Sequence, residues 1–241
     1  MTTTKNALVF GGSRGIGAAA AKRLAADGYT VAFTYVSRPD AAEALVRAIE
    51  AEGGSALAVH ADSSEVGQIR AAVAEVVDRV GRLDAVVVNA GILRVNLAQD
   101  VSVAELDEML AVNVRGVFLS VQAVIPVINE GGSIITIGSN VALRGGPGSS
   151  VYHLTKSAVA GMVKSIAMEL APRRITINNV QPGPFDTDMN AGAIDILTAQ
   201  SPLGRVGRLE EVGGLISYLA GDESRYVTGA DFTIDGGWVL R

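Results

Sequence analysis

The chain has 241 residues, of which 49% are apolar and 19% charged, a balance typical of a globular protein that buries its own core. The absence of cysteine excludes a disulfide framework, a thiolate nucleophile and a zinc–thiolate site, and the net charge of −5 argues against a nucleic-acid surface. Because no apolar run reaches the length of a membrane span and the first residues lack a signal-peptide pattern, we expect a cytoplasmic protein with no membrane partner.

Short apolar runs alternate along the chain with alanine-rich stretches that have helical spacing. The runs predict seven strands, at residues 7–10, 30–35, 56–60, 85–89, 133–137, 176–180 and 231–235. The stretches between them predict helices, at residues 17–27, 39–52, 65–80, 103–129, 151–170 and 209–220. Strands that are apolar throughout and alternate with helices indicate an α/β fold with a doubly wound parallel sheet. Because no linker or repeat divides the chain, we predict one domain over residues 1–241.

A glycine-rich turn follows the first predicted strand and opens the first predicted helix. Gly11 permits a tight turn, Gly15 lets the backbone approach a pyrophosphate, and Gly17 allows the helix to pack closely on the strand. The free N–H groups of the helix start attract phosphates. Many such turns are only turns, but this position between a strand and a helix predicts a nucleotide site. The predicted contacts in the turn are Gly11, Ser13, Arg14, Gly15, Ile16 and Gly17.

The end of the second predicted strand bears on the choice of nucleotide. An NAD site typically has an acidic residue here for the ribose 2′-hydroxyl, whereas this chain has no acid before Asp40. Arg14 and Arg38 instead offer guanidinium groups suited to a 2′-phosphate, although Arg38 by itself is equally well a solvated charge. The pattern favours NADP(H) over NAD(H), with Tyr35, Ser37 and Arg38 as further contacts.

Tyr152 and Lys156 are four positions apart in a predicted helix, so their side chains share one face. A phenol has a pKa of about 10, too high for efficient proton transfer at neutral pH. An adjacent ammonium group favours the phenolate and is expected to lower that pKa. The pair can therefore donate and accept a proton, although such a pair taken alone is more often part of a solvated helix face.

Taken together, these motifs resemble those of the short-chain dehydrogenase/reductases. Asn89-Ala90-Gly91 follows the fourth predicted strand like the Asn-Ala-Gly motif of that family, and Tyr152-His153-Leu154-Thr155-Lys156 matches its Tyr-x-x-x-Lys motif. Ser139 precedes Tyr152 by the usual 13 positions. The likeness extends almost end to end and implies a single Rossmann-type oxidoreductase domain, similar to 3-oxoacyl-carrier-protein reductase-like carbonyl reductases. Two residues depart from the pattern: Phe10 replaces a Thr whose hydroxyl would brace the turn, and Thr155 replaces a Ser.

The resemblance implies a catalytic tetrad. Tyr152 would protonate the carbonyl oxygen in reduction and deprotonate the alcohol in oxidation, and Lys156 would also bind the nicotinamide ribose. Ser139 would hydrogen-bond the substrate oxygen, and Asn113 would hold a water that links Lys156 to solvent. From the residues alone, Ser139 could equally be a turn former and Asn113 a polar residue in a helix interface.

The resemblance also implies cofactor contacts after the later strands. Asp62 and Ser63 would contact the adenine. The segment Asn89-Ala90-Gly91 would line the adenine ribose. Phe185 and Thr187 would reach the nicotinamide carboxamide. Asp62 is also a candidate N-cap for the helix predicted to begin near Glu65. The full set of these contacts is Asp62, Ser63, Asn89, Ala90, Gly91, Tyr152, Lys156, Pro182, Gly183, Phe185 and Thr187.

Residues 182–203 lack clear periodicity and predict a loop or short mobile helices, with a substrate lid around residues 184–204. The residues expected to line the substrate pocket are mostly apolar and favour a ketone or secondary alcohol of modest size. Arg94 and Arg144 nearby could instead attract an anionic carrier or acid group. Several of the pocket residues could instead simply pack the lid. They are Ile92, Leu93, Asn140, Val141, Phe185, Met189, Ile194 and Leu197.

We therefore expect an NADP(H)-dependent oxidoreductase that interconverts a ketone and a secondary alcohol by hydride transfer. One alternative is a nucleotide-binding sensor of the same fold with little turnover, although such a protein need not retain Ser139, Tyr152 and Lys156. Another is an enoyl reductase, a branch of the family that usually spaces its Tyr and Lys further apart. We predict no metal site, because His60 and His153 lack a carboxylate or cysteine cluster at ligand spacing.

The family is commonly tetrameric, which implies a homotetramer joined through the helices at residues 103–129 and 151–170. The second of these has a small, apolar surface suited to close helix contact, although burial in the monomer explains some of the same residues. The candidates are Ala158, Gly161, Met162, Ser165, Ile166 and Met168.

Overall fold

The computed structural model describes residues 4–240, which contain a seven-stranded parallel sheet. The strands are β1 (Lys5–Phe10), β2 (Tyr29–Tyr35), β3 (Ser55–His60), β4 (Leu83–Val88), β5 (Ile128–Ile137), β6 (Thr176–Pro182) and β7 (Asp231–Ile234). Their order in the sheet is β3-β2-β1-β4-β5-β6-β7, and every neighbouring pair is parallel. The predicted fold class is therefore confirmed, and the winding of the chain reverses between β1 and β4, where such sheets bind ligands.

Helices cover both faces of the sheet. The described residues form α1 (Gly15–Ala26), α2 (Pro39–Ala51), α3 (Val66–Val80), α4 (Val103–Leu110), α5 (Val117–Val124), α6 (Ser150–Leu170), α7 (Ile194–Gln200) and α8 (Leu209–Ala220). Buried side chains of α1, α2 and α8 pack on one face, and those of α3, α5 and α6 pack on the other. Because both faces are covered, the central strands are buried along their length, which explains their continuous apolar runs.

The prediction of one helix over residues 103–129 is wrong. A π-helical segment, Ala111–Gly116, separates α4 from α5. At its end Gly116 lies so close to the Ser63 carbonyl that an added Cβ would be 2.3 Å from that oxygen. The π-helical segment thus ends in close contact with the chain after β3, and π-helical turns are frequent at functional sites.

The same prediction also extends too far toward the C-terminus. α5 ends at Val124, and β5 begins at Ile128, which pairs with Leu83 before the register shifts. Two arginine side chains, from Arg82 and Arg173, donate to the Ile128 carbonyl at 2.8 Å. These contacts come from outside the segment, so its helical periodicity could not reveal them.

The predicted loop at residues 182–203 contains a short 3-10 turn, Asp188–Asn190, and helix α7. Its base is anchored, because Phe185 forms a parallel bridge with Gly207 and its side chain is buried. No helix within residues 4–240 is long and apolar enough to cross a membrane.

Candidate active site

The glycine-rich turn connects β1 to α1 at the switch point of the sheet. Gly11 and Gly15 have φ values of +69° and +54°, which L side chains rarely adopt. A Cβ on Gly17 would lie 2.2 Å from the Gly11 carbonyl oxygen and 2.6 Å from Asn89 Nδ2. That amide donates to the Gly11 oxygen at 2.7 Å, so the turn, α1 and the segment after β4 meet at Gly17.

The hydroxyl that braces the turn comes from Thr34 on the neighbouring strand. Its Oγ1 accepts a hydrogen bond from the Gly11 N–H at 2.9 Å, and its carbonyl accepts one from the Gly12 N–H at 2.9 Å. In the sheet register Val9 faces Phe33, which places Thr34 beside the turn. Phe10, at the family's usual Thr position, is buried in the core instead.

The start of α1 has the features of a phosphate site. The first N–H groups of an α-helix have no partner within the helix, and here the N-cap residue Arg14 makes no side-chain cap. The helix dipole adds positive potential at the same point. Thr187 from the base of the lid faces the turn, because a Cβ on Gly15 would lie 3.3 Å from its methyl carbon. These backbone donors and this glycine cradle fit a pyrophosphate.

Three of the predicted catalytic side chains lie together at the carboxyl end of β5. Lys156 is buried, and its Nζ donates to the Ile137 carbonyl at 2.9 Å. The same Nζ lies 5.6 Å from the centroid of the Tyr152 ring. Ser139 follows β5, accepts a hydrogen bond from the Val141 N–H at 3.2 Å, and also hydrogen-bonds Tyr152.

The expectation that Lys156 lowers the pKa of Tyr152 is wrong for the folded chain, because that pKa is raised. Burial raises the pKa of Tyr152 to about 12, and the hydrogen bond from Ser139 opposes that rise. Burial also lowers the pKa of Lys156 to about 8. Both shifts have one cause, because removing either group from water disfavours its charged form. Tyr152 therefore keeps its proton at neutral pH, as a proton donor must.

Asn113 and Thr155 connect this site to the segment after β4. Asn113, in the π-helical segment, accepts from the Ile92 N–H through Oδ1 and donates from Nδ2 to the Ile92 carbonyl, both at 2.8 Å. Its Nδ2 also contacts Thr155 Oγ1 at 3.3 Å, and that hydroxyl donates to the Tyr152 carbonyl at 2.8 Å. Thr155 thus supplies the hydroxyl expected of the family's Ser and joins the helix of Tyr152 to Asn113.

The Asn-Ala-Gly segment lies between the turn and the catalytic side chains. A Cβ on Gly11 would approach Ala90 Cα to 3.0 Å. A Cβ on Gly91 would approach both Asn113 Oδ1 and Lys156 Nζ to 3.4 Å. The structure therefore brings the turn, this segment and the tetrad into one continuous region.

The predicted contacts after β2 and β3 lie at the outer end of that region. Tyr35 packs edge-on against His60, and the exposed Arg38 pairs with Asp40 at 2.9 Å, next to the exposed Ser37. Ser63 is buried.

The alternative role of Asp62 as a helix N-cap is wrong. Its Oδ1 accepts from the Ser64 N–H at 2.8 Å, whereas α3 begins at Val66 with Glu65 at the N-cap position. The side chain closes a local turn and leaves the helix start to other groups.

The segment after β6 differs from its prediction in one respect. The Phe185 side chain packs on Gly207, where an added Cβ would lie 2.5 Å from the ring, so the ring belongs to the core under the lid. Its carbonyl accepts from Asn190 Nδ2 at 2.8 Å. Gly183 packs against Asp235, with an added Cβ 2.5 Å from the Asp235 Cβ. Phe185 can therefore offer a ligand its backbone, whereas Thr187 faces the turn.

Sequence reasoning missed two residues that shape the site. Thr34 is one. It directly precedes the predicted contact Tyr35 in sequence, and only the register of β2 against β1 places it beside the turn. Asp235 is the other: its carboxylate accepts from Asn140 Nδ2 at 3.3 Å and from the Gly237 and Val239 N–H groups. It ties the residue after Ser139 to the C-terminal segment, and the Asp-Gly-Gly sequence after β7 was a turn signal that pointed to it.

Comparison with known proteins agrees with this geometry. A family model described as enoyl-(acyl carrier protein) reductase matches residues 11–239. A solved short-chain dehydrogenase/reductase from Serratia marcescens is 47% identical, with a TM-score of 0.94 over 98% of both chains. The chain belongs to the short-chain dehydrogenase/reductase family. It is thus a member of a family of oxidoreductases.

Two further relatives of the same family match over the whole fold. The chain is 39% identical to a 3-oxoacyl-[acyl-carrier-protein] reductase, FabG, of Staphylococcus aureus, with 100% of both chains covered. It is 43% identical to a blue fluorescent protein from a metagenomic library, solved in complex with NADPH, with a TM-score of 0.93 over 97% of both chains. These matches confirm the resemblance to the short-chain dehydrogenase/reductases that the motifs predicted.

The buried Lys156 predicts a pH-dependent stability difference. Its pKa falls from 10.5 in the unfolded chain to about 8 in the fold, so its buried charge costs about 3 kcal/mol wherever both states are protonated, below pH 8. As pH rises from 8 to 10.5 the folded state loses this proton first, and the cost disappears. We expect Lys156→Met to unfold at a higher temperature than wild type at pH 7, with the difference shrinking by pH 10.

The control is Lys164→Met on the same helix, where the lysine is exposed and pairs with Asp231. Thermal unfolding of both variants at pH 7, 8, 9 and 10 gives the comparison. A Lys156→Met difference that stays constant over this range, as expected for Lys164→Met, would contradict the buried-charge argument.

Proposed function

We propose that the chain is an NADP(H)-dependent reductase that interconverts a ketone and a secondary alcohol, with Tyr152 as the general acid and base. One observation carries the proposal. A protonated tyrosine, a buried lysine and a serine lie together at the carboxyl edge of the sheet, beside an uncapped helix start that fits a pyrophosphate. The serine supports the proton transfer because it hydrogen-bonds the phenol.

The residues that would hold the cofactor extend along the same edge. The turn from Gly11 to Gly17 would hold the pyrophosphate, and Arg14 and Arg38 the 2′-phosphate. Asp62 and Ser63 would contact the adenine, and the segment from Asn89 to Gly91 the adjoining ribose. When bound, NADPH supplies the hydride that reduces the carbonyl carbon. The relative solved with NADPH supports this nucleotide for the chain.

Each catalytic side chain has a separate task in the proposed reaction. Ser139 donates a hydrogen bond to the substrate oxygen and Tyr152 delivers the phenolic proton to it as negative charge develops there. Lys156 holds positive charge near the phenol below its pKa of about 8 and so favours loss of that proton. Asn113 fixes the backbone at Ile92 through two hydrogen bonds.

The proposed substrate is a ketone with a substantial apolar part. In the lid, the apolar side chains of Met189, Ile196 and Leu203 are 53–65% exposed, which supports an apolar ligand for this segment. Arg94 is already paired with Glu108 at 2.9 Å, which weakens the case that it attracts an anionic group. The FabG relative supports including 3-oxoacyl thioesters among the candidates.

Enoyl reduction is the second candidate, because the matching family model carries that description. The spacing of Tyr152 and Lys156 supports carbonyl chemistry instead, since enoyl reductases of the family usually place the two residues further apart. The two reactions leave different products, an alcohol or a saturated carbonyl compound, so product analysis separates them.

The test is to follow NADPH and, separately, NADH consumption with ketones, diketones, 3-oxoacyl thioesters and an enoyl thioester. We expect turnover of at least one ketone or 3-oxoacyl thioester, faster with NADPH than with NADH. Tight NADPH binding without turnover of any compound would favour the sensor alternative. Turnover of the enoyl thioester alone would replace carbonyl reduction by enoyl reduction.

We also propose a homotetramer that uses α4, α5 and α6. Along α6 an exposed stripe of small and apolar residues faces outward, and Phe118 on α5 and Val103 on α4 are 46% and 73% exposed. Ile166, predicted for this surface, is buried in the monomer core. The stripe consists of Leu154, Ala158, Gly161, Ser165 and Met168. The cytoplasmic location stays a prediction.

The expected result is a tetrameric mass by light scattering of the purified protein. Gly161→Glu should convert it to smaller species, because an added Cβ there meets no atom within 4 Å in the monomer and the longer side chain would enter the proposed contact. A monomeric wild-type mass would exclude the assembly.

A further inference from the structure

An ion pair joins the lid to the phosphate-binding turn. Arg14 Nη1 lies 3.2 Å from Asp188 Oδ2, and the two side chains are 62% and 71% exposed. Arg14 is the N-cap residue of α1, and Asp188 opens the 3-10 turn of the lid. The pair thus joins two segments that the chain separates by more than 170 positions.

The base of the lid also packs on the same turn. Thr187, directly before Asp188, places its methyl group 3.3 Å from the position of a Cβ on Gly15. Asn190, which closes the 3-10 turn, donates to the Phe185 carbonyl at 2.8 Å. These contacts hold the Asp188 backbone beside the turn, so the ion pair follows from the local fold on both sides.

The second arginine of this region lies in the same electrostatic environment. The pKa of Arg38 is raised, chiefly by its hydrogen bond to Asp40 and to a smaller extent by the charge of Asp188. Both guanidinium groups assigned to a 2′-phosphate therefore have a carboxylate partner, and Asp188 acts on both of them. A phosphate placed between the arginines would meet the negative charge of Asp188.

We propose that Asp188 competes with the cofactor 2′-phosphate for Arg14 and so limits the preference for NADP(H) over NAD(H). This inference rests on the proposed function. A 2′-phosphate must draw Arg14 away from Asp188, which releases one contact of the lid. A cofactor without that phosphate leaves the pair intact. Asp188 is a specificity-determining residue that acts through Arg14.

The size of the effect follows from the exposure of the pair. Exposed ion pairs have small coupling energies, corresponding to about a two- to five-fold change in an equilibrium constant. We therefore expect Asp188→Asn to tighten NADPH binding about two- to five-fold and to leave NADH binding unchanged. Asp188→Glu, which keeps the charge, should restore the wild-type ratio of the two affinities.

The experiment is a fluorescence titration of the full chain with NADPH and with NADH. The variants are Asp188→Asn, Arg14→Ala and the double variant, because a competitor that acts through Arg14 has no effect once Arg14 is absent. The control is Asp195→Asn on α7. Asp195 is an exposed acid of the same lid, and within residues 4–240 it forms no ion pair. The Asp195→Asn variant removes one negative charge from the lid and leaves the ion pair between Arg14 and Asp188 in place.

The expected pattern is tighter NADPH binding by Asp188→Asn alone, weaker binding by Arg14→Ala, and no further change in the double variant. If Asp188→Asn weakens NADPH binding, Asp188 positions Arg14 and does not compete, and the inference is overturned. An effect equal to that of Asp195→Asn overturns it as well. If wild type binds neither nucleotide, the proposed function fails and this inference fails with it.

Discussion

Replacing Tyr152 by Phe is expected to lower kcat for ketone reduction by about 10²–10⁴-fold, the usual contribution of a positioned general acid. The substitution removes only the hydroxyl and keeps the ring, which lies 5.6 Å from Lys156 Nζ. With a pKa of about 12, the phenol carries its proton throughout the neutral range, so wild-type reduction has a proton ready at the site. The variant has no group at that point to supply it.

Steady-state kinetics with NADPH and the best ketone of the panel measure this effect. As a control, the affinity of the variant for NADPH should change little, since the phenolic hydroxyl of Tyr152 is assigned to the substrate and not to the pyrophosphate. Unchanged thermal stability would show that the fold survives. A kcat within tenfold of wild type would exclude Tyr152 as the proton donor.

The second large effect is expected at Gly17. An alanine there places its Cβ 2.2 Å from the Gly11 carbonyl oxygen and 2.6 Å from Asn89 Nδ2, and both atoms belong to a hydrogen bond that closes the turn. Backbone must move, because no flexible side-chain end can give way at the carbonyl. Overpacking of this kind costs about 1–3 kcal/mol, which corresponds to a loss of NADPH affinity of about 5- to 150-fold if the strain falls on the turn.

The control for Gly17→Ala is Gly67→Ala. Gly67 lies in the first turn of α3, and an added Cβ there meets no atom within 4 Å. Its stability should stay the same or rise by up to about 1 kcal/mol, because alanine favours the helix. NADPH titration and thermal unfolding of the two variants give the comparison. Equal behaviour of both would mean that close approach at Gly17 is not needed for the site.

Local sequence was enough to predict the strands, most of the helices and the motifs. A strand that is buried on both faces shows a continuous apolar run. The first N–H groups of any helix have no partner within it, so a glycine-rich turn before a helix marks a phosphate site. Both features can be recognised in short segments. The Tyr152–Lys156 pair also needed no tertiary information, because four positions in a helix place two side chains on one face. These properties depend on neighbours within a few residues.

Only the tertiary structure decided how the motifs are held. Thr34 braces the turn because β2 pairs with β1 in a particular register, and the π-helical segment ends at Gly116 in close contact with the Ser63 carbonyl. The raised pKa of Tyr152 likewise reflects the whole surroundings of the phenol, where desolvation by burial outweighs the hydrogen bond with Ser139. Arg14 and Asp188 meet although they lie far apart in sequence. Each of these depends on contacts between distant segments, which no local pattern encodes.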